Sequence, residues 1–329
     1  MTAPDGNPDS FIDDHGDTLT PPGKVARLRA VALREFLEMD IPPREMLLDP
    51  ILPSQGLAML YAPRGVGKTH VALGIAYAVA TGGTFLRWRA DRPRRVLYVD
   101  GEMPARTMQD RLRAYDSGRA AGPLIHDNLR LVTPDLQDGP IPDLLTVDGQ
   151  NAIRELLDGI ELLILDNLSA LCRSGRENEA DSWQPAQDFL LALRRAGVTV
   201  LIVHHAGKGG NQRGTSRRED VLDTVIALRR PDDYDSEQGA RFEVHLDKAR
   251  GIFGADAKAF EAQLSERNGL AEWSVRGIED QRIALVLELR QQGKTLREIE
   301  DETGIKKSTV ERLLKKANAN GHATATPTN

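Results

Sequence analysis

Lys68 and Thr69 close a glycine-containing turn whose residue types suit one kind of chemistry. The stretch Leu57–Ala80 reads LAMLYAPRGVGKTHVALGIAYAVA. Ala62, Pro63, Arg64, Gly65, Val66, Gly67, Lys68 and Thr69 keep the spacing of a phosphate-binding loop, with Ala62 in place of its first glycine and His70 following. A polyphosphate needs several backbone N–H groups aimed into one concavity, and Gly65 and Gly67 let the chain turn that tightly. The helix that follows adds its orphan N–H groups and the positive end of its dipole. Lys68 is expected to reach the β- and γ-phosphates and Thr69 to ligate Mg²⁺, which makes ATP the expected ligand and Mg²⁺ the expected cofactor.

Further along, acids and cations recur at the ends of apolar runs. Val96–Asp100 ends in Asp100-Gly101-Glu102-Met103-Pro104. Glu102 there could direct an attacking water, or could simply cap the helix that starts near Pro104. Leu162–Leu165 ends at Asp166, the acid expected on the Mg²⁺ side opposite Thr69. Val198–Val203 ends at His204-His205, either of which could donate to a γ-phosphate. Phe242–Leu246 leads to Asp247-Lys248-Ala249-Arg250-Gly251. Lys248 and Arg250, two apart, point the same way and read either as cationic fingers for a phosphate or as surface charges. GKGGNQRGTSRR, with Lys208, Arg213, Arg217 and Arg218, reads as a loop that tracks a nucleic-acid backbone or as a solvated one.

The elements that must position these groups alternate strand and helix, so an α/β fold with a mainly parallel central sheet is expected over 56–264. The chain has 329 residues, 40% apolar and 28% charged, enough for one large α/β domain and a small appendage. Its net charge of −6 means that any nucleic-acid surface must be local. The single cysteine, Cys172, excludes an intrachain disulfide framework and reads as a small buried residue. No apolar run approaches the ~20 residues of a membrane span, and a soluble cytoplasmic protein without a membrane partner is expected. Residues 1–23, with five Asp and no Lys or Arg, are expected to be disordered. Residues 24–55 are expected to hold a helix over Lys24–Asp40, with Val25, Leu28, Ala32 and Phe36 on one face, and a linker. Residues 44–55 then cover the sheet or pack on a neighbouring subunit.

The last fifth of the chain differs in charge. Residues 265–278 read as a strand remnant and linker, and 279–317 as a small all-α unit. In LREIEDETGIKKSTVERLLKKA a helix, a turn at Gly304 and a second helix from about Ser308 have the apolar spacing of a helix-turn-helix. Lys306, Lys307, Ser308, Thr309 and Arg312 at the second helix are expected to meet duplex DNA, with a helical protein-contact module as the other reading. Residues 318–329 are expected to be a disordered tail.

Six ordered blocks, LAMLYAPRGVGKT, RRVLYVDGEMP, LLILDNLSAL, VLIVHHAGKGG, RGTSRREDVLDTVIALRRP and HLDKARG, together resemble the RecA/DnaB-like ATPases, in particular RepA-type hexameric plasmid helicases. The resemblance implies a RecA-like core whose nucleotide lies between the subunits of a homohexameric ring. It implies Glu102 as catalytic carboxylate, Asp166 as Mg²⁺-side acid and His205 as γ-phosphate sensor. Lys248 and Arg250 match fingers that reach a neighbour's nucleotide. The loops near 169–182 and 207–218 match those that touch single-stranded DNA in the ring's channel. The C-terminal unit is similar to resolvase-type helix-turn-helix units.

Overall fold

The computed structural model describes residues 11–12, 18–19, 29–116, 127–175, 183–206 and 220–319. The chain divides into two units, Met1–Pro43 and Arg44–Asn329. Within the first, Phe11–Ile12 pairs antiparallel with Thr18–Leu19, inside the stretch expected to be disordered. Of the helix expected over Lys24–Asp40, the described residues 29–40 hold Leu33–Glu38, and none of those six is buried. Its N-cap, Ala32, offers no side-chain acceptor, and a six-residue helix without a buried face cannot draw stability from packing.

The second unit is built on a nine-stranded sheet. In chain order its strands are β1 (Leu57–Ala62), β2 (Val96–Asp100), β3 (Leu129–Val132), β4 (Leu162–Asp166) and β5 (Thr199–His205). Then come β6 (Thr224–Arg229), β7 (Arg241–Ala249), β8 (Phe260–Arg267) and β9 (Leu270–Gly277). The spatial order is β9-β8-β7-β6-β1-β5-β4-β2-β3. The strands from β6 to β3 run parallel, and β7, β8 and β9 are added antiparallel. β1, β2 and β4 are buried at every position, which is why they read as unbroken apolar runs.

Helices cover both faces of the sheet. On one lies α1 (Lys68–Thr81), whose small residues allow close approach; a Cβ on Gly74 would sit 2.1 Å from the Phe85 ring. α2 (Ala105–Tyr115) adds Met108 to the same core. The other face carries α3 (Val147–Arg154) and α4 (Gln184–Arg195), with Trp183, Phe189 and Leu193 buried against β4 and β5. α3 is capped by Thr146, whose hydroxyl accepts the Gly149 N–H at 3.0 Å.

Three strands of the sheet escaped sequence reading. β3 is a four-residue edge strand with Arg130 exposed in its middle, too short and too polar to register as a buried strand. The segment 265–278, expected as a strand remnant and linker, supplies the end of β8 and the whole of β9 in an antiparallel hairpin. Its turn residues Asn268 and Gly269 have φ of 55° and 76°, the Asn-Gly pair that a two-residue hairpin favours.

β9 runs directly into α5 (Ile278–Gln291), followed by α6 (Leu296–Thr303) and α7 (Lys307–Ala319). These three helices close on a separate small core of Ile283, Val286, Leu289, Ile299, Val310, Leu313 and Ala317. Thr295 and Glu298 form a reciprocal capping box at the start of α6, and Gly304, at φ 68°, ends it. Among the described residues no helix is long and apolar enough to cross a membrane.

Candidate nucleotide site

Because β1, β2, β4 and β5 are parallel and in register, their carboxyl ends finish side by side. Asp166 lies opposite Asp100 on one side and Val203 on the other, while His205 lies opposite Ala62. Ligands of open α/β sheets bind outside such carboxyl ends. Here the tips and the turn after β1 enclose a cleft of about 680 Å³.

The turn is shaped by its glycines. Gly65 has φ 77° and faces open space, and Gly67 has φ 128°, where a Cβ would approach Phe242 to 2.9 Å. α1 then begins at Lys68, so its first N–H groups point into the cleft. The Lys68 ammonium is buried and donates to the carbonyls of Ala62 and Pro63 at 2.9 and 2.8 Å. Burial lowers its pKa to about 8, against the opposing pull of Asp166 and Glu102. Arg64, Thr69 and His70 complete this wall, and burial brings the His70 pKa down to about 4.

Opposite stand the acids. Asp166 is buried; loss of water raises its pKa, while hydrogen bonds from Tyr98 and Thr69 and the charge of Lys68 hold it down. The Tyr98 hydroxyl donates to Asp166 at 2.6 Å from within the sheet. Asp100 accepts the N–H groups of Met103 and Glu102 at 2.7 and 3.4 Å, and burial beside Asp166 raises its pKa to about 7. Glu102 is exposed on the cleft wall. The α2 N-terminus does not use it as a cap, because the Ala105 N–H donates to Asp135 at 2.8 Å. Of the histidine pair, His205 lines the cleft and His204 is buried on the other face of β5, as strand alternation requires.

A Mg²⁺–nucleotide fits these donors: backbone N–H groups and Lys68 for phosphates, Thr69 and Asp166 as oxygen ligands for a hard cation. Residues not singled out from sequence support the set. Tyr98 and Asp100 lie inside or at the end of an apolar run, where register alone gives them a role. Asn167, next to Asp166, and Arg111, from α2, also line the cleft. Arg230 donates to the Gly65 carbonyl at 2.7 Å and to the carbonyls of Gly239 and Arg241 at 2.9 and 2.8 Å, so it ties the turn to the β6–β7 connection. Its guanidinium stacks on Tyr234, 3.6 Å from the ring centre.

Lys248 and Arg250 are not in this cleft. Lys248 pairs with Val225, which pairs with Met59, toward the opposite end of β1 from the turn. Both cations do point the same way, reaching the Asp220 carbonyl at 3.3 and 3.1 Å. Lys208, Arg213, Arg217 and Arg218 lie outside the described residues, as does the second half of the loop 169–182. Lys306, Lys307 and Ser308 are exposed where α7 begins, and Thr309 is half-buried. Arg312 pairs with Glu279 of α5 at 3.3 Å, and Lys316 binds the same carboxylate, so Arg312 is partly committed to the protein itself.

Fold and cleft together define an α/β protein with a phosphate-binding turn at the carboxyl ends of a mainly parallel sheet. Residues 22–211, more than half of the 329-residue chain, match the family model AAA_25, described as an AAA domain, and the chain belongs to that family. Among solved structures, the chain is similar to a KaiC-like protein, PH0186, of Pyrococcus horikoshii OT3. The identity is 15% and the TM-score 0.48, over 70% of this chain and 93% of that one. It is also similar to the flagellar accessory protein FlaH of Methanocaldococcus jannaschii, at 13% identity and TM-score 0.46, over 68% of this chain and 91% of that one.

Proposed function

We propose that this protein is a Mg²⁺-dependent ATP hydrolase that assembles as a ring, a homohexamer, and acts in the cytoplasm as a DNA helicase or translocase of RepA type in the replication of a plasmid or other mobile element. The observation that carries the ATPase part is the convergence of Lys68, Thr69, Glu102, Asp166 and His205, from four separate strand ends, on one cleft. In this reading the turn from Ala62 to His70 cradles the phosphates, and Lys68 neutralises the β- and γ-oxygens. Thr69 and Asp166 hold Mg²⁺, which supplies charge neutralisation on the phosphate oxygens. Glu102 orients the attacking water and takes its proton, and His205 registers the γ-phosphate from the strand between β1 and β4.

Lys248 and Arg250 lie too far along the sheet to serve their own cleft, which supports their acting on a neighbouring subunit's nucleotide. Arginine fingers of that kind are worth roughly 10³–10⁵ in rate. Single-stranded DNA would run along Lys208, Arg213, Arg217 and Arg218 in the ring's channel.

A second reading is an ATP-controlled DNA-binding regulator that uses its C-terminal helices as a helix-turn-helix and does not unwind DNA. The exposed Lys306, Lys307 and Ser308 at the start of α7 favour duplex contact there. One set of measurements separates the two: ATPase rate with and without single-stranded DNA, mass in solution with ATP, and strand displacement on a fork. Stimulation with displacement by a ring supports the helicase. Tight binding to one duplex sequence without displacement overturns it in favour of the regulator.

A further inference from the structure

Arg111 lines the cleft from α2, on the same β2–α2 segment as Glu102. The two exposed arginines of this helix, Arg106 and Arg113, both pair with Asp110, at 3.0 and 3.5 Å. Arg111 is half-buried, yet no hydrogen bond or ion pair among the described residues engages its guanidinium. It lines the cleft together with Lys68, Thr69 and His70 of α1 and with Asp100 and Asp166, and its charge helps to lower the His70 pKa. The buried acids nearby are already occupied: Asp100 by two backbone N–H groups, Asp166 by Tyr98 and Thr69. A guanidinium stays charged at any physiological pH, and withdrawing it from water without an anion is unfavourable.

We propose that Arg111 is a phosphate ligand of the bound nucleotide, a second cation from the same subunit that grips the terminal phosphate across the cleft from Lys68. The choice of phosphate follows from position. Arg111 and Glu102 line the same cleft as Lys68 and Thr69, so a phosphate chain held by the turn lies within that shared lining. The planar fork of arginine suits two phosphate oxygens at once. This inference rests on the ATPase reading above.

The test measures ATP and ADP affinity by calorimetry in a Glu102→Gln parent, which does not turn nucleotide over and removes Glu102 as an alternative anion for Arg111. Arg111→Ala is expected to weaken ATP about 10- to 100-fold while ADP changes no more than about threefold. Arg111→Met, which keeps the aliphatic stem and its packing, is expected to lose ATP to the same degree. The proposal is overturned if ATP affinity is unchanged, if ATP and ADP weaken equally, or if Met restores ATP binding. Should the alanine variant fail to fold, the methionine variant alone decides. A parent that binds ATP no better than Lys68→Ala would bring down the ATPase reading itself; a parent that binds normally, with unmoved Arg111 variants, sinks only the role of Arg111.

Discussion

The cleft and the C-terminal helices are built in opposite ways. The functional groups of the cleft come from four separate strand ends, and Lys68, Asp166 and His205 meet only because the sheet brings β1, β4 and β5 together in parallel. The three C-terminal helices close on residues within about one stretch, from Ile283 to Ala317, held by local caps and a glycine turn. The first arrangement tolerates buried charge, with Lys68 and Asp166 both removed from water. The second has a wholly apolar centre and keeps its charges outside. Chemistry on a triphosphate needs desolvated, converging charges, and only long-range packing can supply them; a surface for another macromolecule can be made locally.

That contrast can be broken, and the strongest attempt is at Lys68. Lys68→Ala should weaken ATP by about two orders of magnitude in calorimetry, since charge-assisted hydrogen bonds are each worth roughly 1.5–3 kcal/mol, while the C-terminal helices stay folded. Glu102→Gln should bind ATP as before and lose turnover by about 10²–10⁴-fold in single-turnover assays. Normal turnover there would remove the carboxylate from the mechanism. Ile299→Ala, in the small core, should cost about 2–5 kcal/mol and melt the C-terminal helices in hydrogen exchange while ATP affinity is kept. Loss of ATP binding together with those helices would show that the two regions are one cooperative unit.

Two smaller effects sharpen the comparison. The carboxyl of Asp100 has its pKa raised by burial to about 7, against 3.8 ordinarily, so the folded state binds the extra proton and stability falls as pH rises between those values. Asp100→Asn should therefore melt higher than the parent at pH 8, by on the order of 1–2 kcal/mol, with the gap closing toward pH 4. A gap that does not change with pH would argue that Asp100 is not the titrating group. Thr295→Ala should cost about 1 kcal/mol of the C-terminal helices through loss of the capping box, seen as a shift in their melting alone.

Much of the cleft was legible because its chemistry dictates local sequence. A turn that wraps phosphates requires Gly65 and Gly67 where positive φ is needed, and buried parallel strands require apolar runs that end in their functional residue, as at Asp166 and His205. The Asn268-Gly269 turn was equally legible in principle, but its flanking strand carries Glu272, Ser274 and Arg276 on the exposed face and so reads as polar. Arg230 gave no local sign, since its partners Gly65 and Gly239 are carbonyls supplied by the fold. Lys248 and Arg250 were legible as a pair pointing one way, but not which end of the sheet they occupy.

By itself the amino-acid order determined the phosphate turn, the buried strands and the capped C-terminal helices, because backbone freedom, apolar periodicity and end-capping act within a few residues. Only the tertiary structure decided that His205 and not His204 meets the cleft, that Glu102 is not a helix cap, and that Tyr98, Asp100, Arg111 and Arg230 belong to the site. Strand register, the face a side chain takes and the partner of a buried charge depend on residues far away in the chain, and no local pattern encodes them.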